Sequence, residues 1–254
     1  MGAMKNKTIA ILQARMSSNR LPGKVMMEIN GLPMIYWQIQ RVKRVKNLSK
    51  LIVATSTDQS DNELSDFLTR NSVDVFRGSL QDVLSRYQIS SKNYEHHALV
   101  RLTGDCPLVM PELIDEMITE FYQTEVDYLS NTLDRTFPHG LDVEIVRSGV
   151  LDKLNRFILT NEEKEHVTLG VYLRPETFNL ANFMGHTNNS IERWTVDYKE
   201  DFELINRIFM EFKGREAEFN YQDVVNFLLH NPQLRSLNSV HIKGEFPRIK
   251  RNPI

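Results

Sequence analysis

The sequence predicts an α/β fold with a mostly parallel central sheet, and two observations carry this prediction. Short apolar runs of strand length alternate along the chain with longer segments in which apolar residues recur at helical spacing. A loop containing glycine, proline and serine follows the first run. Because parallel strands are joined by crossover helices, this alternation predicts three layers, with helices covering both faces of one twisted sheet.

The first half of the chain supplies four predicted strands, each followed by a helix. We expect strands at 8–12, 51–54, 73–76 and 98–103. The helix after the first strand has Ile35, Ile39 and Val42 on one face, and the next has Leu64, Phe67 and Leu68. The third helix is expected at about 80–87, and Pro111 opens the fourth.

The alternation is less regular after Thr124. Strands are expected at 127–130, 141–146 and 178–183, and the stretch from about 127 to 190 is interpreted as an insertion for acceptor binding, a lid or dimerisation. A strand at 193–197 and a helix at 200–212 restore the pattern. We expect one domain over 5–254, with a vector remnant at 1–4 and a solvated basic end.

Composition excludes several classes of protein. The formal net charge of the 254 residues is −2, which gives no overall reason to expect nucleic-acid binding. There is no apolar run of about eighteen residues and no secretion signal near the start, so no membrane association is expected. A single cysteine, Cys106, fits a reducing compartment, and the prediction is a cytoplasmic protein.

The loop that follows the first strand, residues 14–24, suits a triphosphate. It contains two arginines, a lysine, two serines and a glycine, which offer fixed positive charge, hydroxyls and backbone N–H groups to phosphate oxygens. The alternative is a solvated basic loop. The candidate nucleotide-binding residues here are Ala14, Arg15, Ser17, Arg20 and Lys24.

Two aspartates follow predicted strands and are candidate ligands for Mg²⁺, which needs one or two protein carboxylates besides phosphate oxygens. Asp105 stands in Gly104-Asp105-Cys106-Pro107 after the fourth strand, where a turn with a capping aspartate would look alike. Asp197 ends the predicted strand at 193–197. Glu200 and Asp201 are interpreted as acids that stabilise the first turn of the next helix.

A third segment, residues 137–144, offers candidates for acceptor binding. Strand alternation puts Asp142 and Glu144 on one side, where their carboxylates would bind hydroxyl groups, although an exposed strand face would give the same pattern. His139 is also a candidate there, and the sequence leaves open whether His139 or His166 takes part.

Residues 14–24 match in full the pattern Ala-Arg-x-x-Ser-x-Arg-Leu-Pro-Gly-Lys. This loop resembles the signature of the sugar-activating cytidylyltransferases that make CMP-Kdo and CMP-sialic acid. Over most of the chain, to about Leu204, the sequence is most similar to the spore coat polysaccharide biosynthesis protein F group of that superfamily, of which the segment 137–144 is typical.

The resemblance implies a nucleotidyltransferase fold of the nucleotide-diphospho-sugar transferase, Rossmann-like type, with CTP as donor, Mg²⁺ as cofactor and usually a homodimer. It implies that Asp105 and Asp197 bind the metal and that catalysis rests on these two with Arg15 and Lys24. Related enzymes meet the cytosine ring where this chain has Arg77, Gly78 and Ser79.

The acceptor that the resemblance implies is a 2-keto-3-deoxy sugar acid, such as a nonulosonic acid, activated for a surface or spore polysaccharide. Its carboxylate needs a cation, and Arg101, Arg135 and Arg193 are equal candidates. Thr103 stands where the Kdo enzymes carry glutamine, which argues against Kdo itself.

Two other functions stay open at this point. A glycosyltransferase of the related fold would consume a sugar nucleotide, but those enzymes commonly have an Asp-x-Asp motif where this chain has Gly104-Asp105-Cys106. A nucleotide-binding protein without activity is the other alternative, since a fold does not fix a function.

Overall fold

The computed structural model describes residues 7–242. The expected vector remnant at 1–4 and the end of the basic C-terminal segment lie outside these residues, as do the outermost bounds of the predicted domain.

The described residues form nine strands and ten α-helices, joined by short 3-10 turns. The strands are β1 Thr8–Gln13, β2 Glu28–Ile29, β3 Leu32–Pro33, β4 Lys50–Ser56, β5 Asp74–Gly78, β6 Ala98–Thr103, β7 Tyr128–Ser130, β8 Glu144–Arg147 and β9 Leu180–Asn182. The helices are α1 Met34–Val42, α2 Asn62–Arg70, α3 Val83–Lys92, α4 Pro111–Thr124, α5 Val150–Lys153, α6 Asn161–Glu165, α7 Leu169–Tyr172, α8 Lys199–Glu211, α9 Tyr221–His230 and α10 Pro232–Arg235.

Seven strands form one sheet in the order β5-β4-β1-β6-β8-β7-β9. The neighbours β5, β4, β1 and β6 are parallel, and β7 and β9 are parallel to each other. Only β8 runs against its neighbours in this sheet. The predicted mostly parallel α/β sheet is therefore confirmed.

Alternate residues of each central strand serve two separate cores. Ala10 and Leu12 pack with α1, α4 and α8 on one face of the sheet, whereas Ile9 and Ile11 pack with α3, α5 and α7 on the other. Both faces are therefore covered, which is the three-layer arrangement that the sequence predicts.

The segment 127–190 is continuous with the main sheet. It supplies β7, β8 and β9, and its helices α5 and α7 belong to the second core. The predicted role of this segment in acceptor binding or dimerisation stays a prediction.

Two predicted strands differ from the structure by more than two residues at an end. Residues 193–197 form only an isolated bridge between His139 and Arg193, because the backbone at 196 bonds instead to the loop after β6, through Val196 N–H to Asp105 O at 2.8 Å. The strand expected at 141–146 begins at Glu144, since the Asn131 side chain takes the place of a neighbouring strand in bonding Leu141 O and Val143 N–H.

No helix between residues 7 and 242 combines the length and apolar character that a membrane crossing requires. The carboxyl ends of β1, β4, β5 and β6 lie along one edge of the sheet, as parallel strands must, and the loops after β1 and β6 line a cleft at this edge.

Candidate active site

The cleft has a volume of about 760 Å³ and lies against the ends of β1 and β6. The loop after β1 contributes residues 14, 15, 18–20 and 24, and the loop after β6 contributes 104–106. These two loops therefore face the same cleft, as expected where parallel strands end at one edge of a sheet. His139, Asp142, Thr195 and Asp197 reach the cleft from later parts of the chain.

The loop after β1 is held in shape before any ligand binds. The Met16 carbonyl accepts hydrogen bonds from Ser18 N–H and Gly23 N–H, both at 2.9 Å. Gly23 adopts a φ of +73°, which favours glycine. The fully buried Asp61 accepts a hydrogen bond from Met16 N–H at 2.6 Å and a second from Ser56 N–H at 3.1 Å. Asp61 was not among the predicted site residues.

Lys24 lies between the two predicted metal ligands. Its Nζ donates to Val196 O at 2.6 Å and to Asp197 Oδ1 at 2.8 Å, and it lies 3.5 Å from Asp105 Oδ2. Burial alone would lower the pKa of Lys24, but the charges of Asp105 and Asp197 outweigh this effect and raise it. The side chain is therefore a permanent cation, 8% exposed, at the centre of the site.

Asp105 stays ionised at every ordinary pH. Burial raises its pKa, but the Lys24 charge and hydrogen bonds from Thr103 and Cys106 dominate and lower the pKa to about 2. Asp105 and Asp197 thus converge on one cationic atom, and this donor set fits a divalent cation with additional phosphate ligands. Within residues 7–242 there is no cluster of three or more acidic, histidine or cysteine side chains suited to a metal.

Asp197 is oriented by two arginines. Arg20 Nη2 lies 3.1 Å and Arg193 Nη2 lies 3.2 Å from Asp197 Oδ2. Arg193 is itself held by the fully buried Asp201, with its Nε 2.9 Å from Asp201 Oδ1. Asp201 also accepts from Tyr198 N–H at 3.0 Å at the start of α8. The predicted capping by Asp201 is confirmed, and its pairing with Arg193 is an additional role.

Asp142 and His139, which the sequence offers as candidates for acceptor binding, both line the cleft. Asp142 pairs with both terminal nitrogens of Arg135. Burial raises the pKa of Asp142, but the Arg135 charge outweighs this effect, so the pKa is lowered. Burial lowers the pKa of His139, and Arg193 Nη1 lies 3.2 Å from His139 Nδ1. An arginine only donates, so His139 Nδ1 accepts, and the neutral ring carries its proton on Nε2.

Glu144 lies beneath the cleft and does not line it. This carboxylate accepts hydrogen bonds from Arg101, Tyr128 and Thr168 and is 6% exposed. Arg101 does line the cleft, and its Nε has no hydrogen-bond partner within the described part of the chain. Glu144 is thus a group that positions Arg101, and direct contact with an acceptor stays a prediction.

Several predicted residues lie elsewhere. Arg77 donates to Ser56 O at 2.8 Å and to Asn62 Oδ1 at 2.8 Å, and neither it nor Gly78 or Ser79 lines the cleft. Ser17 does not line the cleft either, whereas its neighbour Ser18 does.

Arg15 lines the cleft and lies 3.3 Å from Glu165 Oε1. His166, the other histidine left open by the sequence, lines the cleft beside Glu165.

Comparison with known proteins agrees with the fold and with the resemblance found in the sequence. Residues 9–208 match the family model described as cytidylyltransferase. The chain is 30% identical over 234 residues to the spore coat polysaccharide biosynthesis protein SpsF of Bacillus subtilis, an alignment that covers 89% of this chain and 96% of that protein.

Two solved structures are also similar. A cytidylyltransferase from Leptospira borgpetersenii superimposes with a TM-score of 0.85 and 32% identity, covering 91% of this chain and 97% of that one. The CMP:2-keto-3-deoxy-manno-octonic acid synthetase complexed with CTP has a TM-score of 0.63 at 16% identity, covers 82% of this chain and 100% of that one, and supports the fold.

These matches confirm both the resemblance carried by residues 14–24 and the prediction of a nucleotidyltransferase. The chain belongs to the cytidylyltransferase family.

Proposed function

We propose that the protein transfers the CMP part of CTP to the anomeric hydroxyl of a sugar acid and releases pyrophosphate. The observation that carries this proposal is the convergence of Lys24, Asp105 and Asp197 beside the preorganised loop after β1. Similarity to a spore coat polysaccharide protein supports a product destined for a surface or spore polysaccharide. A nonulosonic acid is the acceptor that we favour.

In the proposed reaction the acceptor hydroxyl oxygen bonds to the α-phosphorus and its proton is lost to solvent. The bond from that phosphorus to the oxygen that bridges to the β-phosphate breaks, and pyrophosphate leaves. Arg15, Arg20 and Lys24 would hold the β- and γ-phosphates, so that the leaving group stays in line with the attacking oxygen. Asp105 and Asp197 would hold Mg²⁺. When bound, the ion would supply neutralising positive charge at the reacting phosphate.

The acceptor side offers two means of binding a sugar acid. The Arg101 guanidinium, fixed by Glu144, lines the cleft and is suited to a carboxylate, because its buried Nε has no hydrogen-bond partner within residues 7–242. Asp142 and the Nε2–H of neutral His139 are suited to sugar hydroxyls, which both donate and accept. Of the three arginines considered, we therefore favour Arg101 for the carboxylate.

We further propose a homodimer that acts in the cytoplasm. The segment 127–190 exposes Ile158 (99% exposed), Leu173 (52%) and Met184 (57%), which supports a role for it at a subunit contact. Sedimentation velocity of the full chain tests this proposal, and a monomer at micromolar concentration would contradict it.

Pyrophosphate release tests the proposed reaction. The protein is incubated with CTP and Mg²⁺ against Kdo, sialic, legionaminic and pseudaminic acids, with ATP, GTP and UTP as control donors. We expect release that needs both CTP and one acceptor. Asp105→Asn should lower turnover about 10²- to 10³-fold, by analogy with loss of one preorganised charge contact, whereas Asp66→Asn on the exposed face of α2 should not change it.

Two results would contradict the proposal. Near-normal turnover of Asp105→Asn would remove the assigned role of this carboxylate. Release of a free nucleotide from a sugar nucleotide, without pyrophosphate, would indicate a glycosyltransferase instead.

A further inference from the structure

Arg86 is a buried cation in the wall of the cleft that the proposed mechanism does not use. It lies on α3, lines the cleft and is 2% exposed. Its Nε and Nη1 atoms have no hydrogen-bond partner within residues 7–242. Burial lowers the pKa of Arg86, which reflects the cost of desolvating a charge. An unpaired buried cation is unfavourable in the free protein, so a ligand that pairs with it would gain correspondingly.

The nearest acids are engaged with other groups. Asp61 accepts from backbone N–H groups of the loop after β1 and the end of β4. Asp82 caps α3 by accepting from Ser85 N–H at 2.8 Å. Both charges raise the pKa of Arg86 slightly, but neither carboxylate bonds to it. The protein therefore leaves the hydrogen-bonding capacity of this guanidinium unfilled.

The chain makes room for Arg86 at the end of β5. A Cβ atom added to Gly78 would lie 2.9 Å from Arg86 Cγ, closer than carbon atoms pack. Gly78 thus leaves room for the Arg86 side chain, although it does not line the cleft itself.

The surroundings of Arg86 differ from the charged end of the cleft. Val83 lies one helical turn earlier on the same face of α3, and both Val83 and Ala14 are buried and line the cleft. Gln13 also lines it, and its Oε1 accepts from Tyr87 Oη at 3.2 Å, which leaves the Gln13 NH₂ group as a donor. This end combines small apolar surfaces with hydrogen-bond donors, which suits a flat heterocycle with adjacent acceptors.

We propose that Arg86 recognises the base of CTP, donating N–H groups to the adjacent O2 and N3 acceptors of cytosine while Val83 and Ala14 contact the ring. This inference rests on the proposed use of CTP. Uracil carries a proton on N3, so its N3–H donor would face an N–H donor of the guanidinium and no hydrogen bond could form there. Arg86 is therefore a specificity residue that separates CTP from UTP, in the place where sequence reasoning put Arg77.

Equilibrium binding tests this assignment without knowledge of the acceptor. Titration calorimetry measures CTP, UTP and tripolyphosphate against the wild-type chain, Arg86→Met and the exposed control Arg207→Met in Mg²⁺ buffer. Losing hydrogen bonds from a charged donor should weaken CTP binding about 10- to 100-fold in Arg86→Met. The Kd values for UTP and tripolyphosphate should change by less than about threefold. The preference for CTP over UTP should therefore be lost in Arg86→Met. Arg207→Met should behave as wild type.

Thermal melting of the unliganded proteins separates recognition from a structural role. Because methionine fills similar space without a buried charge, Arg86→Met should melt at the same temperature as wild type or higher. A clearly lower melting temperature would overturn the assignment by making Arg86 structural.

Four other results would also overturn the assignment. An equal fall for all three ligands would indicate a phosphate contact, and unchanged CTP binding with a raised KM for the sugar acid would indicate an acceptor contact. An unchanged CTP to UTP ratio in Arg86→Met would remove this assignment alone. A wild-type chain without preference among the three ligands would contradict the proposed function as well.

Discussion

Replacing Lys24 with methionine should destabilise the free protein and make it respond to Mg²⁺. The substitution removes a cation that is 8% exposed and bonded to Asp197 and Val196, and it leaves two carboxylates facing one another. Breaking a buried ion pair in this way costs about 3–5 kcal/mol. For a chain of this size that corresponds to a fall in melting temperature of roughly 6–20 °C.

Mg²⁺ should reverse part of this loss, because Asp105 and Asp197 converge on the position that the ammonium group fills. An ion that binds only the folded state and is present at 100 times its Kd stabilises the folded protein by about 2.7 kcal/mol. The melting temperature of Lys24→Met should therefore rise markedly with Mg²⁺, and that of the wild-type chain much less, since Lys24 competes for the same carboxylates.

The assay is thermal unfolding followed by circular dichroism at pH 7.5, with and without Mg²⁺. Lys213→Met, at an exposed position after α8, is the matched control and should melt as the wild type does. Two results would refute the reasoning. One is a Lys24→Met variant as stable as wild type without the ion. The other is a destabilised variant whose Mg²⁺ response equals that of the wild type.

Three further predictions concern stability. In urea denaturation, Gly140→Ala should lower the free energy of unfolding by at least about 3 kcal/mol, because φ is +110° and the new Cβ would lie 2.4 Å from a backbone nitrogen. Gly149→Ala, with open space around it, should lower it by only about 1–2 kcal/mol. Equal costs would contradict the steric argument. Glu144→Gln should lose about 3–5 kcal/mol by leaving Arg101 buried and unpaired, and wild-type stability would contradict this. Because the pKa of Asp105 is lowered from 3.8 to about 2 in the folded protein, ionised Asp105 contributes about 2 kcal/mol to the free energy of unfolding. This contribution is present above pH 4 and is lost as the pH falls towards 2. An Asp105→Asn chain that loses as much stability over that range would refute the prediction.

The sequence predicted those elements whose pattern reflects burial in the sheet. The apolar run at 98–103 matches β6 to the residue, and the convergence of the loops after β1 and β6 follows from parallel strands sharing one edge. The predicted strand at 193–197 is wrong because all five residues are buried, whereas within residues 7–242 the only strand pairing of the backbone there is the isolated bridge between His139 and Arg193. The sequence pattern reflects which side chains are buried, and it does not show what the backbone bonds to.

Cleft residues that belong to a local sequence motif were predicted, and cleft residues that only tertiary packing brings to the cleft were missed. Arg77 and Arg86 are nine residues apart, and only packing decides that Arg77 turns to the backbone near Asp58 while Arg86 reaches the cleft. One signal was available for Arg86. It lies three residues after Val83 and one before Tyr87, so helical spacing puts a charged residue on the buried face of α3.

The charges of the cleft are paired in the free protein in a way that anticipates the substrate. Lys24 and Arg20 are paired with Asp197, and Arg15 with Glu165. A triphosphate would take these cations as partners, and a divalent cation would take the carboxylates they release. Each ion pair would thus be exchanged for another, so the desolvated charges would not be left unpaired during binding. Arg86 is different because no carboxylate bonds to it in the described chain, and a group that pairs with it adds an interaction without breaking one. Selectivity for the base would therefore depend on Arg86 more directly than affinity for the phosphates depends on any one of the paired cations.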